Sequence, residues 1–140
     1  MTGPRTFVLA AALLALEPAH AATVLADVVG VRNGHGHVMV ALCTKATFLR
    51  PHCPWRGEAP AAAGTVRVRI ENVPAGLYAA QAFHDEDDNG KLERSMLGLP
   101  KEAMGFSNDA RLRMGPPRFD DAAFTVAPAG TTITFHLRYY

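Results

Sequence analysis

The sequence predicts an all-β protein, an antiparallel β-sandwich with Greek-key links. Three observations carry that expectation. Several segments alternate apolar and polar residues with period two, the mark of strands with one buried face. Turn residues stand between them, at Asn33-Gly34, Pro74-Ala75-Gly76 and Pro128-Ala129-Gly130. Beyond residue 21, no segment carries a long apolar stripe at helical spacing, which leaves many short strands without intervening helices.

In chain order, the first feature precedes the strands. Arg5 is followed by the apolar run from Phe7 to Leu16, then by Glu17-Pro18 and the small-residue pattern Ala19-His20-Ala21. This reads as a bacterial Sec-type signal peptide over residues 1–21, with cleavage near Ala21 or Ala22. About ten apolar residues fall well short of the roughly 20 that span a bilayer. No cysteine at the cleavage site indicates lipid attachment, and no later stretch is long enough to cross a membrane. The expected product is one β-sandwich domain over residues 22–140, periplasmic or secreted and not membrane-spanning after cleavage.

The strands follow. Thr23 to Val31 and His37 to Cys43 alternate weakly. Thr65 to Glu71 is the clearest case, with Val66, Val68 and Ile70 on one face and Arg67, Arg69 and Glu71 on the other. Gly76 to His84 and Ala122 to Ala127 are weaker again, whereas Ile133, Phe135, Leu137 and Tyr139 alternate cleanly with Thr132, Thr134, His136 and Arg138. The turn signals are expected to close hairpins between at least three pairs of these strands.

Two connections are long. The first runs from about Thr44 to Gly64 and holds Pro51, Cys53, Pro54 and Trp55; the second runs from Asp85 to about Asp121. Long loops in compact domains are usually functional or disordered. The second contains Leu92, Met96, Leu97, Leu99, Met104, Phe106 and Phe119, too many apolar residues for a solvated tail. It is expected to be ordered and to fold back over one end of the sandwich.

Cys43 and Cys53 are the only cysteines. In an exported chain an even pair tends to join, so a Cys43–Cys53 disulfide is expected. Two free buried thiols or a soft-metal site are the alternatives, and the spacing fits no zinc pattern. With 14 Lys and Arg against 13 Asp and Glu, the chain lacks the clustered basic excess of a nucleic-acid surface.

The segment His84-Asp85-Glu86-Asp87-Asp88-Asn89-Gly90-Lys91-Leu92-Glu93 carries the most chemistry. Asp85, Asp87, Asn89 and Gly90 copy the first half of a calcium loop, in which alternate side-chain oxygens converge and a glycine makes the bend. Met96 stands where the bidentate Glu of a helix-loop-helix site belongs. The candidate ligands are Asp85, Asp87, Asn89, the carbonyl of Lys91 and Glu93, with a remote carboxylate, Glu102 or Asp109, completing the shell. A bound Ca²⁺ would be structural, pinning the loop in the folded state alone. The other reading is a solvated acidic turn, with Asx side chains bonding backbone amides and Gly90 at positive φ.

The ordered series Pro74 to Ala79, Phe83 to Glu93, Leu97 to Glu102, Gly105 to Asn108 and Gly115 to Ala122 resembles domain of unknown function family 2141, a family of exported bacterial proteins. The resemblance covers essentially the whole mature chain. It implies a prealbumin-like (transthyretin-like) sandwich of about seven strands and implies no reaction. Two departures fall in the acidic turn, where Asp87 and Glu93 replace the family's Asn and Asp. Both keep oxygen donors, while the longer Glu93 side chain alters the geometry of any site.

Other chemistries are less well supported. Carboxylates crowded on one turn give no reason for one pKa to rise above its neighbour, as a glycosidase pair requires. The sequence Gly105-Phe106-Ser107-Asn108-Asp109 lacks the second glycine of a nucleophile elbow. His35, His37, His52 and His84 with Met39 are of a type that suits copper, but Asn33 to Gly36 is a plain turn and His84 reads as a strand-end residue bonding the acidic loop. Trp55, Phe106 and Phe119 form either a contact patch at one end of the sandwich or a plug for its core.

The chain is therefore expected to be a non-catalytic binding or structural module of the cell envelope, with an envelope protein or a glycan as partner and Ca²⁺ in the long loop. The alternative is a metal-dependent or carbohydrate-directed periplasmic enzyme using the acidic loop. An open pocket beside Asp85 and Glu102 would favour the alternative.

Overall fold

The computed structural model describes residues 2–4, 6–13, 21–91 and 102–140. It is an all-β fold of two sheets. The strands are β1 (Ala22–Val31), β2 (His37–Cys43), β3 (Trp55–Pro60), β4 (Gly64–Val73), β5 (Gly76–Asp85), β6 (Met104–Phe106), β7 (Ala123–Val126) and β8 (Thr131–His136). A 3₁₀ turn (Ser107–Asp109) follows β6, and the short helix α1 (Phe119–Ala122) precedes β7. The first sheet has the order β4-β1-β8; the second has the order β3-β2-β5-β6, with β7 sharing the outer edge of β5 with β6.

The core lies between the sheets. Period-two alternation puts Val24, Ala26 and Val28 of β1, Val66, Val68 and Ile70 of β4 and Phe135 of β8 against Val38, Val40 and Leu42 of β2 and Ala80 and Ala82 of β5. Full burial of a Val, Leu, Ile or Phe side chain contributes roughly 1.5–3 kcal/mol, so this interface is the main source of stability.

Four features correct the sequence reading. The three expected hairpin turns each lead from one sheet to the other: 32–36 joins β1 to β2, 74–75 joins β4 to β5, and 127–130 joins β7 to β8. Turn chemistry reverses the chain without choosing which sheet the next strand enters. The pairing is also not wholly antiparallel, since β8 runs parallel to β1, from Val24 opposite Thr131 to Val29 opposite His136.

Thirdly, the first long connection contains a strand. β3 pairs with β2 from Leu42 opposite Trp55 to His37 opposite Pro60. Gly57, Glu58 and Pro60 are poor strand formers, which is why its pattern does not stand out. Fourthly, the second long connection holds β6, the 3₁₀ turn and α1. Its described apolar residues do not cap an end of the sandwich. Phe106, Phe119 and Ala122 pack with Phe48 around Ala79, whose neighbours Tyr78 and Ala80 belong to the main core, so this second cluster covers the opposite face of the second sheet. Leu92, Met96, Leu97 and Leu99 lie outside the described residues.

The Cys43–Cys53 disulfide is present and clamps the loop between β2 and β3. Phe48, from that loop, meets Phe106 and Phe119 edge-on at 6.0 and 5.9 Å. With Phe106 and Phe119 buried and Trp55 packed edge-on against Tyr78 at 5.2 Å, these aromatics serve the cores rather than an exposed contact patch.

Candidate metal centre

The acidic segment starts where β5 ends. His37 of β2 lies opposite Asp85 of β5, so the loop leaves the sheet beside the corner that joins β1 to β2. A side chain at Gly36, whose φ is +67°, would collide with the Asp85 carbonyl, and glycine is what lets this corner press so closely on the loop.

Beneath the loop, His84 is fully buried. Its Nε2 donates to the His35 carbonyl at 2.6 Å, because a carbonyl only accepts. Its Nδ1 lies 3.0 Å from the Tyr139 hydroxyl, which also accepts the Arg32 backbone N–H at 2.9 Å. The Arg32 guanidinium stacks over the Tyr139 ring at 4.5 Å. With both ring nitrogens engaged, His84 is a structural post, and its Nδ1 stands 3.7 Å from Glu86.

The four consecutive acids then divide. Glu86 turns to Arg32, with Nε to Oε1 at 2.6 Å, and Asp88 to His37 at 2.5 Å. The hydrogen bond from Arg32 holds the Glu86 carboxyl below its usual range, and that to Asp88 raises the His37 imidazole. Asp85 and Asp87 point elsewhere, and together with Glu102 they bring one carboxylate oxygen each to within 4.8 Å of one another. Among the described residues this is the single such cluster of three or more His, Cys, Asp or Glu side chains.

Asp85 also shapes the turn. Its Oδ1 accepts the N–H of Asn89 at 3.1 Å and its Oδ2 that of Gly90 at 2.6 Å. Asn89 Oδ1 accepts the Lys91 N–H at 2.8 Å, while Asn89 Nδ2 donates to Asp87 at 3.2 Å. Asp88 and Gly90 take positive φ, at 56° and 72°. The loop thus combines the Asx turns of the solvated reading with the converging carboxylates of the cation reading.

Of the residues expected as ligands, Asp85, Asp87 and Glu102 come together. Asn89 and the Lys91 N–H are engaged in the turn, and Glu93 lies outside the described residues. Asp109, the alternative remote carboxylate, instead accepts from the backbone N–H and the ring of His136 at 2.8 and 3.1 Å. Arg32 and His37, which take up the charge of the other two acids, were not expected. They lie far from the loop in sequence, and only the sheet pairing reveals them.

Two buried carboxylates and a third beside them, at 2 % exposure for Asp85 and 8 % for Glu102, make a cluster suited to a hard cation. At about 5 Å and an effective dielectric of about 20, two like charges repel by roughly 3 kcal/mol. A divalent ion between them reverses the sign of that interaction.

Fold and cluster define a class, an all-β sandwich with an acidic, oxygen-donor loop at the end of a central strand. The chain belongs to the bacterial family described as "Uncharacterized protein conserved in bacteria (DUF2141)", whose family model matches residues 26–134. No curated protein and no solved structure matches it. Among the described residues no helix is long and apolar enough to cross a membrane.

Proposed function

We propose that this chain is an exported bacterial envelope protein, a single β-sandwich domain over residues 22–140 that acts as a non-catalytic binding or structural module and holds Ca²⁺ in its acidic loop. The observation that carries the reading is the convergence of Asp85, Asp87 and Glu102, two of them buried. Oxygen donors alone favour a hard ion over copper or zinc. The Lys91 carbonyl and Glu93 are the ligands proposed to extend the shell toward the six to eight oxygens that calcium takes.

Export is supported by the disulfide and by the apolar leader. Phe7, Val8, Leu9 and Leu13 are each about nine-tenths exposed and belong to no element, as a segment removed from the mature protein would be. A holding role is supported over catalysis by the seclusion of Asp85 and Glu102; the neighbouring cavities are lined by Gly90 and Lys91 instead. The partner is an envelope protein or a glycan.

Thermal unfolding with and without calcium tests the cation. With Ca²⁺ the parent should gain several degrees over its melting temperature in chelator, and Glu102→Gln should show no such gain. Equal curves for the parent with and without Ca²⁺ would refute a stabilising ion.

A further inference from the structure

The outer face of the second sheet is covered at one end by the Phe48–Phe106–Phe119 cluster and bounded at the other by the acidic loop. Between them lies a groove of about 590 Å³, continuous through Arg56, Gln81 and Phe83 with a smaller hollow of about 110 Å³. Its volume falls in the range of small-molecule sites. The floor is largely apolar, built from Met39, Phe83 and Met104, all half-buried.

Among the described residues the rim has one sign of charge. Arg50 and His52 come from the disulfide-clamped loop, Arg56 from β3 and Lys91 from beyond the acidic turn, and among the described residues no carboxylate lines either hollow. Among the described residues none of these four side chains is in an ion pair, whereas Arg32, Arg67, Arg69 and Arg118 all are. Glu58, next on the exposed face of β3, lines neither hollow. Leu49 at the rim is 41 % exposed and held at φ 64°, an unfavourable backbone state for a bulky side chain, so an apolar group is kept at the mouth against its own preference.

The geometry points to this groove as a binding site for a single-chain amphiphilic carboxylate, such as a fatty-acid anion. The arginine forks of Arg50 and Arg56 match a carboxylate bidentately. The Met39–Phe83–Met104 floor takes the chain, and methionine adapts to a flexible apolar guest. This site shares its Lys91 edge with the acidic loop, while its arginines and its apolar floor lie outside the Asp85–Asp87–Glu102 cluster.

Calorimetric titration of the full exported protein with dodecanoate tests it, with dodecyl maltoside as the neutral amphiphile and acetate as the anion without a chain. Dodecanoate, below its micelle concentration, should bind at least tenfold more tightly than either. The double variant Arg50→Ala/Arg56→Ala, in exposed residues that support no core packing, should lose at least tenfold for dodecanoate while keeping the parent's circular dichroism. Arg67→Ala/Arg69→Ala, on the exposed face of β4, should lose nothing. Equal binding of the neutral amphiphile, an unchanged affinity in the Arg50/Arg56 variant, or no binding of dodecanoate overturns the proposal, whether the floor is filled by another part of the chain or simply bare.

Discussion

The carboxylates of Asp85 and Glu102 meet within 4.8 Å although one ends β5 and the other lies just before β6, and both are almost wholly withdrawn from water. Strand pairing forces the meeting. Ala82 of β5 is opposite Gly105 of β6, and the His84 N–H donates to the Ala103 carbonyl at 3.1 Å, which carries the antiparallel register on to Glu102. The sheet thus gathers like-charged carboxylates that a cation could bridge.

The disulfide ties the rim of the groove to the sheet. Cys43 and Cys53 close a loop with a sequence separation of 10, for which the chain-entropy model gives about 2–3 kcal/mol. The double variant Cys43→Ala/Cys53→Ala should lose about that much in urea unfolding, with the slope against denaturant larger because the unfolded chain is freer. A loss under about 0.5 kcal/mol would mean that Phe48 packing alone holds the loop.

Two glycines set how closely the sheets approach at their edges. A Cβ at Gly57 would collide with the Arg69 carbonyl of β4, and one at Gly105 with the His136 carbonyl of β8. Gly57→Ala and Gly105→Ala should each cost about 1–3 kcal/mol, as overpacking does. Gly34→Ala, where the nearest atom is the Ala61 carbonyl at 3.6 Å, should stay within about 0.5 kcal/mol. Urea midpoints would distinguish the pair from the control.

Acid sensitivity has a traceable part on the first sheet. Asp27 of β1 accepts two bonds from Arg67 of β4, at 2.7 and 2.9 Å, and that hydrogen bonding holds its carboxyl below the usual range against the opposing effect of partial burial. A lowered folded-state pKa contributes stability that is present above the unfolded value of about 3.9 and is lost as pH falls through the folded one. The Arg67 end of the pair is exposed, so solvent screening keeps the contribution small. Arg67→Met should flatten the fall in urea midpoint between about pH 5 and pH 2, and an unchanged slope would contradict this assignment.

Much of this architecture is legible in the sequence where one face of a strand is buried. Val66, Val68 and Ile70 announce β4, and the alternation at Ile133 and Phe135 announces β8. What alternation does not encode is the partner, and so the parallel β1–β8 pairing and the sheet-to-sheet role of Asn33-Gly34 emerge only in three dimensions. β3 is hidden because close approach of β4 demands Gly57 where a strand former would otherwise stand. Asp85, Asp87 and the more distant Glu102 are readable in the sequence as oxygen donors, and the structure brings them together. The assignment of Glu86 to Arg32, of Asp88 to His37 and of Asp109 to His136 depends on contacts far apart in the chain, which no local pattern signals.

The most direct measurement is calorimetric titration of Ca²⁺ into the metal-stripped protein. One ion should bind per chain, and binding should disappear in both Asp85→Asn and Glu102→Gln while both variants remain folded. No binding heat at several temperatures, or an unchanged affinity in those two variants, would contradict the acidic loop as a calcium centre.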